Sequence, residues 1–428
     1  MKILVSAYAC EPGKGSEPAV GWNWVQQISR FHEVWVITRA NNFGPIEAEL
    51  ARHPLPGVHW LYFDLPRRVS FWKKGQRGVH LYYYLWQMGV YRLARKLHAQ
   101  IRFDLIHHVT FAQYEIPSFL GLIGAPFIWG PVGGGESAPL AFWVDFSRRG
   151  KFFELRRNLG RIFAAIDPVT RVTAHRCQCA LATTEETARR LRKLGARRVI
   201  VHPEFGMTKE EMQYFCGFPV RSSGTFRLIS MGRLIHWKGF HLALRAFARF
   251  HASYPDSEYW ITGEGPECDR LKALAHKLGV QQSVVFWGKL PTLDEVYSKL
   301  AQSDVLVHPA LHEAFGNACL EALSAGRPVI CLDLGGPSLQ VTEATGIKVP
   351  AVSPRQAVSD LAGAMMLLAQ NPVLRMGMGQ MARQRVAEHF SWEKKGRYLA
   401  SLYDQMVGDK VDLPLPREEE NCIDVGKV

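Results

Sequence analysis

Short apolar runs separated by longer amphipathic stretches recur along the whole chain, and this alternation restricts the fold more than any other feature. The first half holds KILVSAY, EVWVITRA, VHWLYFDL, DLIHHVTF, PFIWGP and CALATT; after VIVHPEFG a second series runs FRLISMG, SEYWITGEG, SVVFWGKL, SDVLVHPAL and PVICLDLGG. Runs this apolar suit strands covered on both faces, and the stretches between them suit crossover helices. ALRAFARF, residues 243–250, and LEALSAG, residues 320–326, read as helices by their apolar spacing. The pattern predicts an α/β chain with two doubly wound domains, joined near residues 200–222. A length of 428 residues agrees, since a single hydrophobic core seldom grows that large. There is no internal repeat and no low-complexity tract. The tail from residue 411, VDLPLPREEENCIDVGKV, is Pro-rich and then acidic, and reads as a flexible extension.

Charge separates the two halves. The chain carries a formal net charge of +13, and all of that excess precedes residue 206: 28 Lys/Arg against 15 Asp/Glu, then 24 against 24 in the remainder. The densest basic stretch, residues 65–103, has nine Lys/Arg and no acid, with Phe71, Trp72, Tyr82, Tyr83, Tyr84, Trp86 and Tyr91 interleaved. Such a mixture suits an anionic membrane surface, where rings sit at headgroup level and cations meet lipid phosphates. It is also compatible with nucleic acid, or with a solvated basic helix whose aromatic side packs on the domain. No nucleic-acid-binding motif accompanies the charge, so nucleic acid is not expected as a partner.

No apolar run approaches the length of a spanning helix, and MKILVSAYAC reads as a strand rather than a signal peptide. A cytoplasmic location is expected. The eight cysteines (Cys10, Cys177, Cys179, Cys216, Cys268, Cys319, Cys331 and Cys422) are scattered without zinc-site spacing and read as reduced, mostly buried thiols.

Chemistry-bearing residues cluster in a few turns. CEPGKGSEPAVGW places Gly13, Gly15 and Gly21 after the first strand, where backbone amides can approach a phosphate; IWGPVGGGES is a second Gly-rich loop, or a plain surface turn. In MGRLIHWKGF, Arg233 and Lys238 stand five apart across a turn that follows a strand and precedes a helix. Two cations there can clamp a diphosphate, Arg as a planar fork and Lys as a point charge, although a loop with two surface cations looks the same. In LHEAFGNACLEALSAGRPVI, Glu313 and Glu321 lie eight positions apart around a helix start. Alone, they could be an N-terminal charge and a solvated outer-face residue.

MGRLIHWKGF, ITGEGPECDRL, VVFWGKLP, VHPALHEAFGNACLEALSAGRPVI and DLGGP, in this order, resemble the C-terminal domain of glycosyltransferase family 4, of the GT-B fold. The likeness covers about residues 225–350 closely. It extends more loosely to CEPGKGSE, to IWGPVGGGE and to FSWEKKGRYLASLY, which looks like the family's final helix crossing back onto the first domain. The resemblance implies two Rossmann-like domains facing a central cleft. An acceptor-binding domain would span 1–205 with a crossover helix at about 390–408, a nucleotide-sugar-binding domain 206–389, and a flexible tail 409–428.

It also implies roles. Glu321 would bind the donor ribose. Glu313 would lie under the donor sugar and face the charge that develops at its anomeric carbon. Ala314, Phe315, Gly316 and Asn317 would offer backbone amides at a helix N-terminus, and Arg233 and Lys238 would offset the leaving diphosphate. Gly15, Gly263 and Leu290 would complete the donor site, with the base near Lys289 and Leu290. No cofactor and no metal are expected, there being no Asp-x-Asp pair to hold a cation. Many relatives carry a His where this chain has Gly130; that role would be vacant, or taken by His107, His108 or Glu136.

The implied activity is retaining, metal-independent transfer of a sugar from a nucleotide-diphosphate sugar to a lipid-linked or polysaccharide-precursor acceptor. It would take place on the inner face of the cytoplasmic membrane. The alternatives are a soluble saccharide synthase and a non-catalytic nucleotide-sugar-binding protein.

Overall fold

The computed structural model describes residues 1–408 except Lys74, Gln76, Arg77 and 220–223. Two wholly parallel sheets account for the alternation. The first joins β1 (Lys2–Ala7), β2 (Glu33–Thr38), β3 (Val58–Tyr62), β4 (Leu105–Thr110), β5 (Phe127–Val132), β6 (Cys179–Ala182) and β7 (Val199–Val201) in the order 3-2-1-4-5-6-7. The second joins β8 (Phe226–Met231), β9 (Ser257–Thr262), β10 (Val284–Gly288), β11 (Val305–His308), β12 (Val329–Leu332) and β13 (Gly346–Val349) in the order 10-9-8-11-12-13. β13 is an edge strand, GIKV, whose Lys348 is exposed, so it has no continuous apolar run to stand out in the sequence.

Both faces of each sheet are covered. Leu4, Ile37, Ile106, Trp129 and Ala180 pack on one face of the first sheet, and Ile3, Val5, Val36, Leu105 and Leu181 on the other. Period-two side chains with apolar residues at both phases require this, because neither face tolerates water.

Helix Trp392–Val407 returns to the first domain, where Trp392, Leu399, Leu402 and Tyr403 are buried in one cluster with Trp24, Val25 and Ile28 of helix Glu17–Ser29. The two passages of chain between the sheets bond to each other: Met207 N–H donates to the Phe390 carbonyl at 2.7 Å and Trp392 N–H to that of Met207 at 3.0 Å. The tail 409–428 and Cys422 lie outside the described residues. The other seven cysteines are free thiols and mostly buried, as expected, with Cys268 half-buried and Cys216 exposed.

The basic stretch 65–103 needs correction. Helix Val79–Ile101 turns Tyr82, Tyr83, Trp86 and Val90 into the core beneath the first sheet, so these rings are not available to lipid. Its cations Arg92, Arg95 and Lys96 are solvent-exposed. Lys74 and Arg77 fall outside the described residues. No helix among the described residues is long and apolar enough to cross a membrane.

His107 and His108 both lie on β4 and are fully buried. His107 Nε2 is 2.6 Å from the Gly130 carbonyl, which can only accept, so Nε2 carries the proton and Nδ1 accepts from the Tyr403 hydroxyl at 2.6 Å. Burial draws the His107 pKa down to about 3, keeping the ring neutral. The pair anchors the returning helix. Tyr403→Phe is therefore expected to remove about 1–3 kcal/mol of stability by orphaning Nδ1; a denaturant midpoint equal to that of the parent would refute the assignment.

Candidate active site

In a doubly wound sheet, ligands bind outside the carboxyl ends of the strands where the chain order reverses. In the second sheet that point lies between β8 and β11. A cleft of about 750 Å³ opens beside it, lined by Gly232, Arg233, Gly263, Lys289, Leu290 and Val296. Its floor depends on bare backbone: a Cβ on Gly263, which has φ +121°, would meet the Gly232 carbonyl oxygen at 2.0 Å. Arg233 projects from this floor and is exposed.

Lys238 and Glu313 form an ion pair across the carboxyl ends of β8 and β11. The Lys238 chain passes Gly232, coming within 4.0 Å of where a Cβ would stand. Burial pushes the Glu313 carboxyl up, but Lys238 and His308 outweigh it and the net shift is downward, so the group is anionic. His308 Nε2 lies 3.8 Å from that carboxylate. Burial, and then Lys238, pull His308 down to about 4, which makes it a neutral neighbour.

Glu313 is followed by Gly316, whose φ of +88° turns the chain into helix Asn317–Ser324. The same segment is tied from behind, where Gly336 N–H donates to the Glu313 carbonyl at 2.9 Å. Ala314 faces the Gly-rich loop of the first domain, 3.9 Å from where a Cβ of Gly133 would stand. Phe315 is buried and stacks on Phe205 of the inter-sheet passage at 5.3 Å. On the helix, Glu321 accepts from the Tyr297 hydroxyl at 3.2 Å, and burial pushes its pKa up to about 7. Arg233, Lys238, Gly263, Leu290, Glu313 through Asn317 and Glu321 thus belong to the loops and helix start at one edge of one sheet.

The first domain is arranged differently from expectation. Gly15 is exposed in the loop after β1, with open space around it. Gly130 is not beyond the fifth strand but within it, and a Cβ there would meet the Leu181 carbonyl oxygen at 2.2 Å, so no side chain fits. His107 and His108 are core residues; His108 Nε2 is held by Tyr83 and by the Thr110 carbonyl. Glu136 is buried and accepts from the hydroxyls of Thr184 and Thr187 at 2.6 and 2.8 Å. None of the candidates for the vacant His position is free to take it up.

The groups that sequence reasoning missed come from helix Arg148–Ile166. Its Glu154 is buried, with Oε1 at 3.1 Å from His236 Nε2 and 3.2 Å from His312 Nε2. His236 begins the turn that carries Lys238, and His312 precedes Glu313. Arg157 bonds the same His312 ring, at 2.8 Å from Nδ1. Trp237 is sandwiched between Phe153 at 5.0 Å and His312 at 5.1 Å, both near-parallel. Burial raises the Glu154 pKa, but hydrogen bonds from His236 and His312 outweigh it and hold it at about 2. No motif announces this. The only trace in the sequence is a lone acid among six cations between 148 and 166.

Two half-buried carboxyls are also raised. Glu17 is pushed up to about 7 by burial. Glu204, on the inter-sheet passage, is raised to about 8 by burial and then by Glu17, Glu136 and Glu313. Among the described residues there is no cluster of three or more His, Cys, Asp or Glu side chains arranged to hold a metal.

Residues 219–385 match the profile of the family described as glycosyl transferases group 1. The chain is 32% identical over 182 residues to a glycogen synthase of Mycobacterium tuberculosis, covering 42% of this chain and 43% of that one. It is 26% identical over 242 residues to the lipopolysaccharide core biosynthesis glycosyltransferase LpsD of Rhizobium meliloti, covering 54% and 65%. The matched regions thus span less than two thirds of either relative. A glycosyltransferase of Rickettsia africae, known by crystal structure, superposes with a TM-score of 0.61 over 96% of this chain and 99% of its own, at 16% identity. At that identity the likeness concerns the fold, which is GT-B.

Glu154→Ala would leave His236 and His312 without their acceptor, and orphaning each of these two buried groups is expected to cost about 1–3 kcal/mol. The pH dependence has a definite sign. Glu154 is depressed from an ordinary 4.5 to about 2, so its contribution is present above about pH 4.5 and fades as pH falls toward 2. Urea titrations across that window should show the parent losing its advantage over Glu154→Ala; a constant difference would contradict the clamp.

Proposed function

With residues 219–385 forming a glycosyl transferases group 1 domain on a GT-B fold, we propose that the protein transfers a sugar from a nucleotide-diphosphate sugar to a membrane-associated acceptor, with retention of anomeric configuration and without a metal. The observation that carries this reading is the meeting of Lys238 and Glu313 beside a glycine-floored cleft bearing Arg233, with Glu321 half-buried on the adjoining helix. The nucleoside lies in the cleft against Gly263, Lys289 and Leu290, and Glu321 accepts from its ribose hydroxyls. The diphosphate meets Arg233, Lys238 and the amides preceding helix Asn317–Ser324.

As the bond to the diphosphate breaks, negative charge grows on the phosphate and positive charge at the anomeric carbon. Lys238 and Arg233 face the first, and the Glu313 carboxylate faces the second. All three are set before the reaction, so little reorganisation is needed at the transition state. The acceptor hydroxyl attacks from the face the phosphate leaves and passes its proton to the departing phosphate oxygen, which accounts for retention. The basic first domain, and the likeness to a lipopolysaccharide core enzyme, favour an acceptor displayed at the inner face of the cytoplasmic membrane. The likeness to a glycogen synthase favours a soluble glucan instead, and a panel of acceptors separates the two.

Two outcomes test the roles. Lys238→Ala or Arg233→Ala should lower turnover on the order of 100-fold or more while chelator leaves the parent active; an enzyme silenced by chelator and rescued by magnesium would overturn the metal-independent reading. Glu313→Ala should chiefly lower turnover, and Glu321→Ala should chiefly weaken nucleotide binding.

The elevated Glu321 pKa adds a pH test. The ionised carboxyl is the better acceptor for ribose hydroxyls, so affinity should rise as pH rises through about 7. Calorimetry with the tightest binder from a panel of UDP-, GDP- and ADP-sugars should give this slope in the parent and a flat profile in Glu321→Gln. The diphosphate diester of these ligands does not titrate there. A slope unchanged by the substitution removes the ribose assignment.

A further inference from the structure

Helix Arg148–Ile166 is amphipathic in the wrong sense for a soluble protein. Its buried positions include Glu154 and Arg161, which with Arg157 bond His236, His312 and the loop at 134–137. Its exposed face carries Phe152, Leu155, Leu159, Ile162, Phe163 and Ile166, each between 48% and 69% exposed. The spacing of these six, at three and four residues, places them in one stripe along the helix. Arg149 and Arg156 border it on one side and Lys151 on the other, all exposed. The helix's only acid, Glu154, is on the opposite, buried face.

A surface helix normally turns its apolar stripe inward, and contiguous apolar patches of this kind mark a partner. We propose that this face docks on an anionic lipid surface, with the six apolar side chains entering the acyl boundary and the flanking cations meeting headgroup phosphates. The charge argues for lipid over a second copy of the chain: a two-fold pairing would bring this cationic border against itself. The inference deepens the membrane-acceptor reading above and moves its surface from the 65–103 stretch, where Tyr82, Tyr83 and Trp86 are in the core. The docking face and the clamp on His236 and His312 are opposite sides of one helix, about 10 Å across, so a lipid-borne acceptor would arrive close to the donor turn.

The test uses the full chain and neither donor nor acceptor, so it can fail independently of the proposed activity. The parent should sediment with vesicles of phosphatidylglycerol and phosphatidylcholine at low salt and much less with phosphatidylcholine alone. The triple variant Phe152→Gln/Ile162→Gln/Phe163→Gln should lose more than about tenfold in partitioning, and Arg149→Gln/Lys151→Gln/Arg156→Gln should lose its salt sensitivity. All six positions are exposed, and an unchanged thermal midpoint establishes that the variants are folded. Arg92→Gln/Arg95→Gln/Lys96→Gln, on the other basic helix, should bind like the parent. Absence of binding by the parent, or full binding by the apolar triple variant, overturns the proposal. A concentration-dependent dimer that the apolar triple variant abolishes also overturns it, in favour of self-association.

Discussion

The carboxylate of Glu154 is the point on which the geometry of the cleft turns. A buried anion is expensive unless it is hydrogen-bonded, and here two imidazoles from the second domain converge on one oxygen, Oε1, while Oε2 is buried without a hydrogen-bond partner among the described residues. Each imidazole belongs to a loop that also carries an ion-pair partner, Lys238 in one case and Glu313 in the other. One helix of the first half of the chain thereby sets the spacing of two loops in the second half. The stack of Phe153, Trp237 and His312 and the bond from Leu311 N–H to the Trp237 carbonyl at 2.7 Å hold the same loops by packing and by backbone.

The clamp explains an otherwise awkward division of labour. Reaching across to the second domain places Glu154, Arg157 and Arg161 on the inner face of helix Arg148–Ile166 beside Phe153 and Ala164, and most of the larger apolar residues lie elsewhere on the helix. These therefore face outward, where they are useful only against a partner that removes them from water. Charge and hydrophobicity thus sort to opposite sides of one element. Farther along the chain, the two passages between the sheets bond to each other at Met207 and Trp392, and the last helix is pinned by Tyr403 on His107. The two connections between the domains thus run side by side, and Glu204 on the first is raised by burial and then by the charges of Glu17, Glu136 and Glu313.

How much of this could be read from residues alone varies with the range of the physics. Strands covered on both faces announce themselves as apolar runs, and twelve of the thirteen stand in or at the edge of the runs named at the outset; β13 is the exception. The turns bearing Arg233, Lys238 and Glu313 were legible as motifs because a glycine beside a cation or a carboxylate at a strand end is a local arrangement. The interleaved aromatics at 65–103 misled for a related reason: composition records that rings and cations are neighbours in the chain, but not that Tyr82, Tyr83 and Trp86 face inward. His107 and His108 misled in the same way, since a strand interior and a strand end differ by a few residues.

The alternation of apolar runs, the glycine-bearing turns and the order of motifs in the second half were enough to specify an α/β chain of two parallel sheets with a GT-B resemblance, because each depends on contacts within a few residues. The pairing of Glu154 with His236 and His312 joins residues 82 and 158 positions apart, and the outward turn of Phe152, Ile162 and Phe163 follows from that pairing. No local pattern carries either one, since which face of a helix is buried depends on what the folded chain has placed beside it.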